Sequence, residues 1–168
     1  MSSISHPAAS VTLEEIRTLL HAVADPEIPV LSIMDLGIVR DIKLGKDGVE
    51  VYVSPTYTGC PATEVIEQMI VAKLKGNGVQ RVTINRVLSP PWTTEWLSET
   101  GRQKLRKYGI APPERGAGKR SLLGQSIVHC PRCSTERTTR VSEFGSTPCK
   151  ASYKCDECLE PFEYFKCI

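Results

Sequence analysis

Leu13, Ile16, Leu19, Leu20 and Val23 recur at three- and four-residue intervals, the spacing that gathers apolar side chains on one helical face. Thr12 stands just before them and Glu15 three residues after it, a capping-box pattern, with Val11 and Ile16 placed as a hydrophobic staple. Asp25-Pro26-Glu27-Ile28-Pro29 ends this helix, because neither proline can continue it. Val49, Val51 and Val53 then alternate with Glu50 and Tyr52, which predicts a strand with one buried face over Val49–Ser54. A strand-like stretch, Leu36–Leu44, precedes it, and Gly45-Lys46-Asp47-Gly48 suits the hairpin between them. Pro61 favours the first position of a second helix with Cys60 at its cap. Ala62, Val65, Ile66, Met69 and Ile70 supply its apolar face, and Gly76-Asn77-Gly78 ends it. Val79–Leu88 reads as a third strand. Ser89-Pro90-Pro91 breaks that strand, and Thr93 or Thr94 caps a third helix running to about Lys107.

The order helix, strand, strand, helix, strand, helix predicts an α+β domain over residues 1–110, a small three-stranded sheet with packed helices. Residues 111–126, rich in Pro, Gly, Ser and Arg, read as a linker. Residues 127–168 are too few to fold on a hydrophobic core alone. Their cysteines explain how they fold. Cys130-Pro131-Arg132-Cys133 and Cys155-Asp156-Glu157-Cys158 are two close pairs whose spacing lets four sulfurs meet around one ion. Four thiolates in a tetrahedron suit structural Zn2+ and leave no position for substrate. A four-cysteine zinc ribbon is therefore expected, with two disulfides as the alternative. The N-terminus is polar and carries no signal-peptide pattern, so a reducing cytoplasm is expected, where such spacing favours metal.

Charge narrows the partners. The net charge is +2, with 12 basic and 12 acidic side chains in residues 1–110 and 9 and 7 in residues 111–168. A zinc held by four thiolates adds a net negative charge that cancels the surplus. Nucleic acid is not an expected partner, since no basic stripe is left to neutralise phosphates. Nor is a membrane, since no apolar run approaches the length of a span.

Outside the ribbon, Cys60 is the residue of most chemical interest. At a helix N-terminus, unpaired N–H groups and the helix dipole favour a thiolate that reacts or binds metal. The alternative is a cysteine packed as a small apolar residue. Asp25 and Glu27 offer carboxylates for metal or protons, or simply form the turn. Asp35 is placed to anchor the loop before a strand. His129, beside the first cysteine pair, is a weaker candidate ligand than the four thiols. Cys149 and Cys167 are left over and fit pairing, a second ion or packing equally. Tyr153, Phe162, Tyr164 and Phe165 form either the small core of the ribbon or a protein-docking patch. No Gly-x-Ser-x-Gly, no His-Glu-x-x-His and no phosphate loop with its hydroxyl is present, which argues against an autonomous hydrolase.

Asp25-Pro26-Glu27-Ile28-Pro29, Asp35-Leu36-Gly37-Ile38-Val39 and Thr58-Gly59-Cys60-Pro61 resemble the iron–sulfur assembly and targeting family that includes SufT. Pro90-Pro91-Trp92-Thr93-Thr94-Glu95-Trp96, the Lys107–Pro113 segment and the tail Glu160-Pro161-Phe162-Glu163-Tyr164-Phe165-Lys166-Cys167 are similar to a narrower family, the D proteins of bacterial phenylacetate degradation. That resemblance implies an accessory factor for a ring epoxidase acting on phenylacetyl-CoA, an enzyme with a di-iron oxygenase and an iron–sulfur flavin reductase. It implies help with maturation or assembly rather than with oxygenation. Its partners would be the oxygenase or reductase subunits, and a homodimer is also compatible. It places the family cysteine on Cys60 and the acidic loop on Asp25 and Glu27, with iron or an iron–sulfur cluster held transiently. A non-catalytic structural subunit of the epoxidase is the alternative. The residues agree on one point independently: no Glu-x-x-His pair is present to build a di-iron bundle.

Overall fold

Helix α1 (Leu13–His21) starts where its capping box puts it, in a computed structural model that describes residues 11–46, 48–57, 59–116 and 127–166. Thr12 Oγ1 accepts from Glu15 N at 3.2 Å, and Glu15 Oε2 accepts from Thr12 N at 2.7 Å. Ile16 and Leu20 turn inward and are fully buried. Strands β1 (Val39–Leu44) and β2 (Val49–Val53) form the antiparallel hairpin. Helix α2 (Ala62–Lys75) then carries the chain over to β3 (Val82–Arg86), which runs parallel to β2. The sheet order is β1-β2-β3, and central β2 buries Val49, Val51 and Val53, the three valines of the alternating pattern. On α2 the inward row is Ala62, Ile66, Ile70 and Leu74, at four-residue spacing. Val65, expected on that face, is 44% exposed, and Met69 is only partly buried. The helix is turned so that one row alone meets the sheet.

The expected third helix is divided. A 3-10 turn at Thr94–Trp96 is capped by Thr93, and helix α3 (Glu99–Tyr108) starts afresh at Ser98, whose Oγ accepts from Gly101 N at 2.9 Å. Leu97 between them is extended and buried, so the break sends an apolar side chain into the core. Asp35 fixes this region. Its carboxylate accepts from Ser32 N and Oγ, from Ser98 Oγ, and from Lys104 Nζ at 2.6 Å. Burial works against its charge, yet these donors, led by Lys104, hold the carboxyl below the usual range. Gly37 has φ +68°, and a Cβ there would lie 2.2 Å from the carbonyl oxygen of Trp96, so only glycine fits.

The C-terminal strands β5 (Thr138–Ser142), β6 (Lys150–Cys155) and β7 (Pro161–Phe165) form an antiparallel ribbon. One strand in that sheet comes from before the predicted linker: β4 (Ile110–Ala111) lies parallel to β7, with Ile110 opposite Glu163, in the order β4-β7-β6-β5. The residues that follow are also tied down. Arg102 donates to the carbonyls of Pro113 and Thr94, and Gly116 N donates to Glu95 Oε1 at 2.6 Å. The remainder of the predicted linker, residues 117–126, lies outside the described residues. Cys149 and Phe165 belong to the same buried cluster as Ile16, Val51 and Trp92, so the two modules share one core. A smaller cluster of Ala111, Val128, Cys130, Cys155, Phe162 and Tyr164 fills the ribbon itself.

Candidate metal and thiol sites

The two cysteine pairs are brought together by turns of matching geometry. In the first, Cys130 N donates to the Thr135 carbonyl at 2.9 Å; in the second, Cys155 N donates to the Glu160 carbonyl at 3.0 Å. The residue after each second cysteine is left-handed, Ser134 at φ +64° and Leu159 at φ +61°. That conformation costs a non-glycine residue about 1–2 kcal/mol, and in both turns it curls the chain back so that the pair of sulfurs points one way. All four sulfurs lie within 4.8 Å of one another, with Cys130–Cys158 at 3.7 Å and Cys133–Cys155 at 3.5 Å. A tetrahedron with 2.3 Å bonds needs edges of about 3.8 Å. Burial works to raise the Cys155 thiol, but N–H groups of Cys158 and Glu157 and the neighbouring thiols outweigh it and bring it down to about 7. Distances and donor chemistry both fit Zn2+. His129 is not among the donors: its Nδ1 lies 2.8 Å from Glu114 and its Nε2 3.1 Å from Glu136.

The second candidate site is a cleft beside β2 and α2, lined by Asp25, Glu27, Ser54, Cys60, Thr63 and Cys149 among others. The loop after α1 brings the carboxylates. Asp25 is buried, and its Oδ1 accepts from Glu27 N at 2.8 Å and Ile28 N at 2.7 Å, which sets the turn at Pro26. Burial pushes its carboxyl above the ordinary range; those two N–H groups and the charge of Lys150 oppose the rise. Glu27 is thereby turned towards the cleft. The loop before α2 brings Cys60, half-buried, through a left-handed Gly59 at φ +85°. Thr58 in this loop lies outside the described residues. Helix α2 starts at Ala62 with Pro61 at its cap, so Cys60 stands one residue outside the cap position expected for it. The reason is the turn in which the Cys60 carbonyl accepts from Thr63 N at 3.2 Å.

The ribbon brings Cys149. Its Sγ lies 3.1 Å from Thr147 Oγ1 and donates to Glu27 Oε2 at 3.6 Å. Burial is the main cause that pushes this thiol up to about 11. Tyr57 completes the surroundings: burial, then the charges of Cys60, Glu27 and Cys149, push its phenol up to about 12. Its hydroxyl lies near Cys60 without reaching hydrogen-bond geometry. The inner space open to a water-sized occupant is about 30 Å3, far too small for an aromatic thioester. Mixed thiol and carboxylate donors around so small a space suit a borderline metal ion.

The structure thus brings Asp25, Glu27 and Cys60 together, and adds Cys149, which the sequence left unplaced. Its only sequence signal was that it belonged to neither close pair. Cys167 lies outside the described residues. The docking role considered for the aromatic residues requires correction. Phe162, Tyr164 and Phe165 are 8%, 6% and 2% exposed, because β7 faces inward on both modules. Tyr153 is partly buried, stacked on Phe162 at 5.8 Å and edge-on to Tyr164 at 5.7 Å.

Comparison with known proteins divides the chain in the same way. Residues 13–85 match the family described as iron–sulfur cluster assembly protein, and residues 115–166 match the PaaD zinc beta ribbon domain. The chain is 47% identical over 156 residues to a protein of Escherichia coli K12 provisionally named as the D protein of 1,2-phenylacetyl-CoA epoxidase, covering 93% of each. It is 35% identical to an Fe-S protein maturation auxiliary factor of Porphyromonas gingivalis, over 56% of this chain and 90% of that protein. Among solved structures, a domain of unknown function from Bacillus anthracis matches 55% of this chain and 89% of its own length, with 28% identity and a TM-score of 0.52.

Proposed function

The chain belongs to the family of phenylacetyl-CoA epoxidase D proteins, and we propose that it serves as an accessory maturation factor delivering iron or an iron–sulfur cluster to the oxygenase or reductase of that epoxidase. The observation that carries this reading is the cleft in which Asp25, Glu27 and Cys60 meet, inside the part of the chain that matches iron–sulfur cluster assembly proteins. The metal it handles is cargo, taken up and passed on. The relatives named as maturation factors support the accessory role.

In this reading the ribbon holds one structural Zn2+ through Cys130, Cys133, Cys155 and Cys158, a closed shell that takes no part in chemistry. Its work is to hold β6 and β7 against the first module, which keeps the Cys149 side of the cleft in place. Cys60 is the residue that touches cargo, and the Asp25 turn aims Glu27 at the same space. No helix among the described residues is long and apolar enough to cross a membrane, and a cytoplasmic client complex is the expected setting.

The test separates maturation from a merely structural subunit. Oxygenase and reductase made in cells lacking this protein should be poor in iron or cluster. Purified protein added during maturation should restore activity, whereas added to mature enzyme it should change turnover little. Subunits that carry full metal but turn over only with this protein bound stoichiometrically would instead make it a structural subunit.

A further inference from the structure

Cys149 stands 122 positions from Glu27 in sequence, yet its Sγ is 3.6 Å from Glu27 Oε2. It comes from the ribbon, just ahead of β6, while Glu27 and Cys60 come from the first module. All three line one cleft. Two hydroxyls at this place have no hydrogen-bond partner among the described residues: Ser54 Oγ, on a cleft-lining residue only 1% exposed, and Tyr57 OH. A buried polar group left unpaired costs about 1–3 kcal/mol, so their presence points to an occupant that supplies the missing partner. The inner space of about 30 Å3 limits that occupant to the size of an ion or a water.

We infer that Cys149 makes this cleft a composite cargo site, in which one ferrous ion is held by the thiolates of Cys60 and Cys149 and the carboxylate of Glu27. The choice of iron rests on the maturation reading; the donor set rests on the geometry. Sulfur and carboxylate together suit a borderline divalent ion. On binding, each thiol releases its proton to solvent and the S–H···Glu27 contact of Cys149 is replaced by bonds to the metal. No electron is transferred, and no oxidant or reductant is needed. Ser54 and Tyr57 then face the ion or its bound water. Among the described residues only the ribbon sulfurs already stand at the spacing of a closed shell. The cleft donors are looser and must draw in around the ion, which suits cargo that has to leave again. The ribbon, in this view, is a part of the cargo site rather than an appended module.

The test uses the full chain, purified without oxygen, with ribbon zinc quantified, and ferrous ion alone as the probe. Iron-edge X-ray absorption should count two sulfur neighbours per iron in the wild type and one in Cys149→Ser, with zinc content unchanged. Affinity for iron should fall on the order of tenfold or more in that variant. Glu27→Gln, which leaves the ribbon untouched, should weaken binding while keeping two sulfurs. If Cys149→Ser loses its zinc, the wild-type sulfur count and Glu27→Gln decide the matter. One sulfur per iron in the wild type, an unchanged count in zinc-loaded Cys149→Ser, or no iron bound at all would overturn the composite site. None of these decides the maturation reading, which is judged on the iron content of the client subunits.

Discussion

The ring of Phe165, on the last strand of the ribbon, meets the Trp92 indole edge-on, with centroids 6.1 Å apart and planes at 80°. Trp92 in turn donates from Nε1 to the Leu36 carbonyl at 2.9 Å, so the contact reaches the loop that leads into β1. Both rings are buried in the core that the modules share. Truncating an aromatic side chain in such a place costs about 3–5 kcal/mol. Phe165→Ala should therefore lower the stability of the whole chain by that amount. The tryptophan emission and the far-ultraviolet circular dichroism of the wild type should change together in denaturant, as one transition.

Removal of zinc should be felt in the first module for the same reason. Binding of structural zinc supplies on the order of 10 kcal/mol to modules of this size, and the ribbon covers Trp92 from outside. Chelation, or Cys155→Ser, should abolish zinc binding and shift tryptophan emission to longer wavelength. Emission that stays unchanged after complete loss of zinc would show that the first module does not depend on the ribbon.

Asp35 sets a pH dependence whose sign follows from its lowered pKa. The carboxylate is stabilised more in the folded chain than in the unfolded one, where its pKa is about 3.9. Its contribution is complete above that value and disappears as pH falls through the lower folded value. Asp35→Asn should cost about 3 kcal/mol at neutral pH, since Lys104 and two serine hydroxyls lose their acceptor. The gap between variant and wild type in denaturant midpoints should close progressively below about pH 4.

Leu159 is 63% exposed and left-handed, so its side chain contributes little burial while its backbone carries strain. Leu159→Gly should stabilise the chain by about 1 kcal/mol, the left-handed penalty less the added freedom of glycine when unfolded. Leu159→Val should destabilise it, because a β-branched side chain resists that conformation more. Urea midpoints of the two variants should move in opposite directions.

What could be read from the sequence was local. Thr12 and Glu15 mark the start of α1, the alternating valines mark β2, and the cysteine spacing marks the ribbon, because each pattern needs only a few neighbouring residues. Features set by contacts between distant segments were not legible. Leu97 divides the third helix because the core accepts its side chain there. Val65 faces outward because only one row of α2 fits the sheet. Ile110 pairs with Glu163, and Cys149 meets Glu27, through packing of the modules that no periodicity records. The aromatic tail reads equally as core or as docking surface until the position of β7 is known.

The most direct measurement of the central claim is the iron content of the epoxidase oxygenase and reductase produced in cells whose only copy of this protein is Cys60→Ala. The variant should fold and retain ribbon zinc, since Cys60 lies apart from the four ribbon thiols. The account predicts client subunits poor in iron or cluster and low in activity, with both restored by wild-type protein supplied during maturation. Client subunits with full metal and full activity beside a zinc-loaded Cys60→Ala protein would contradict it.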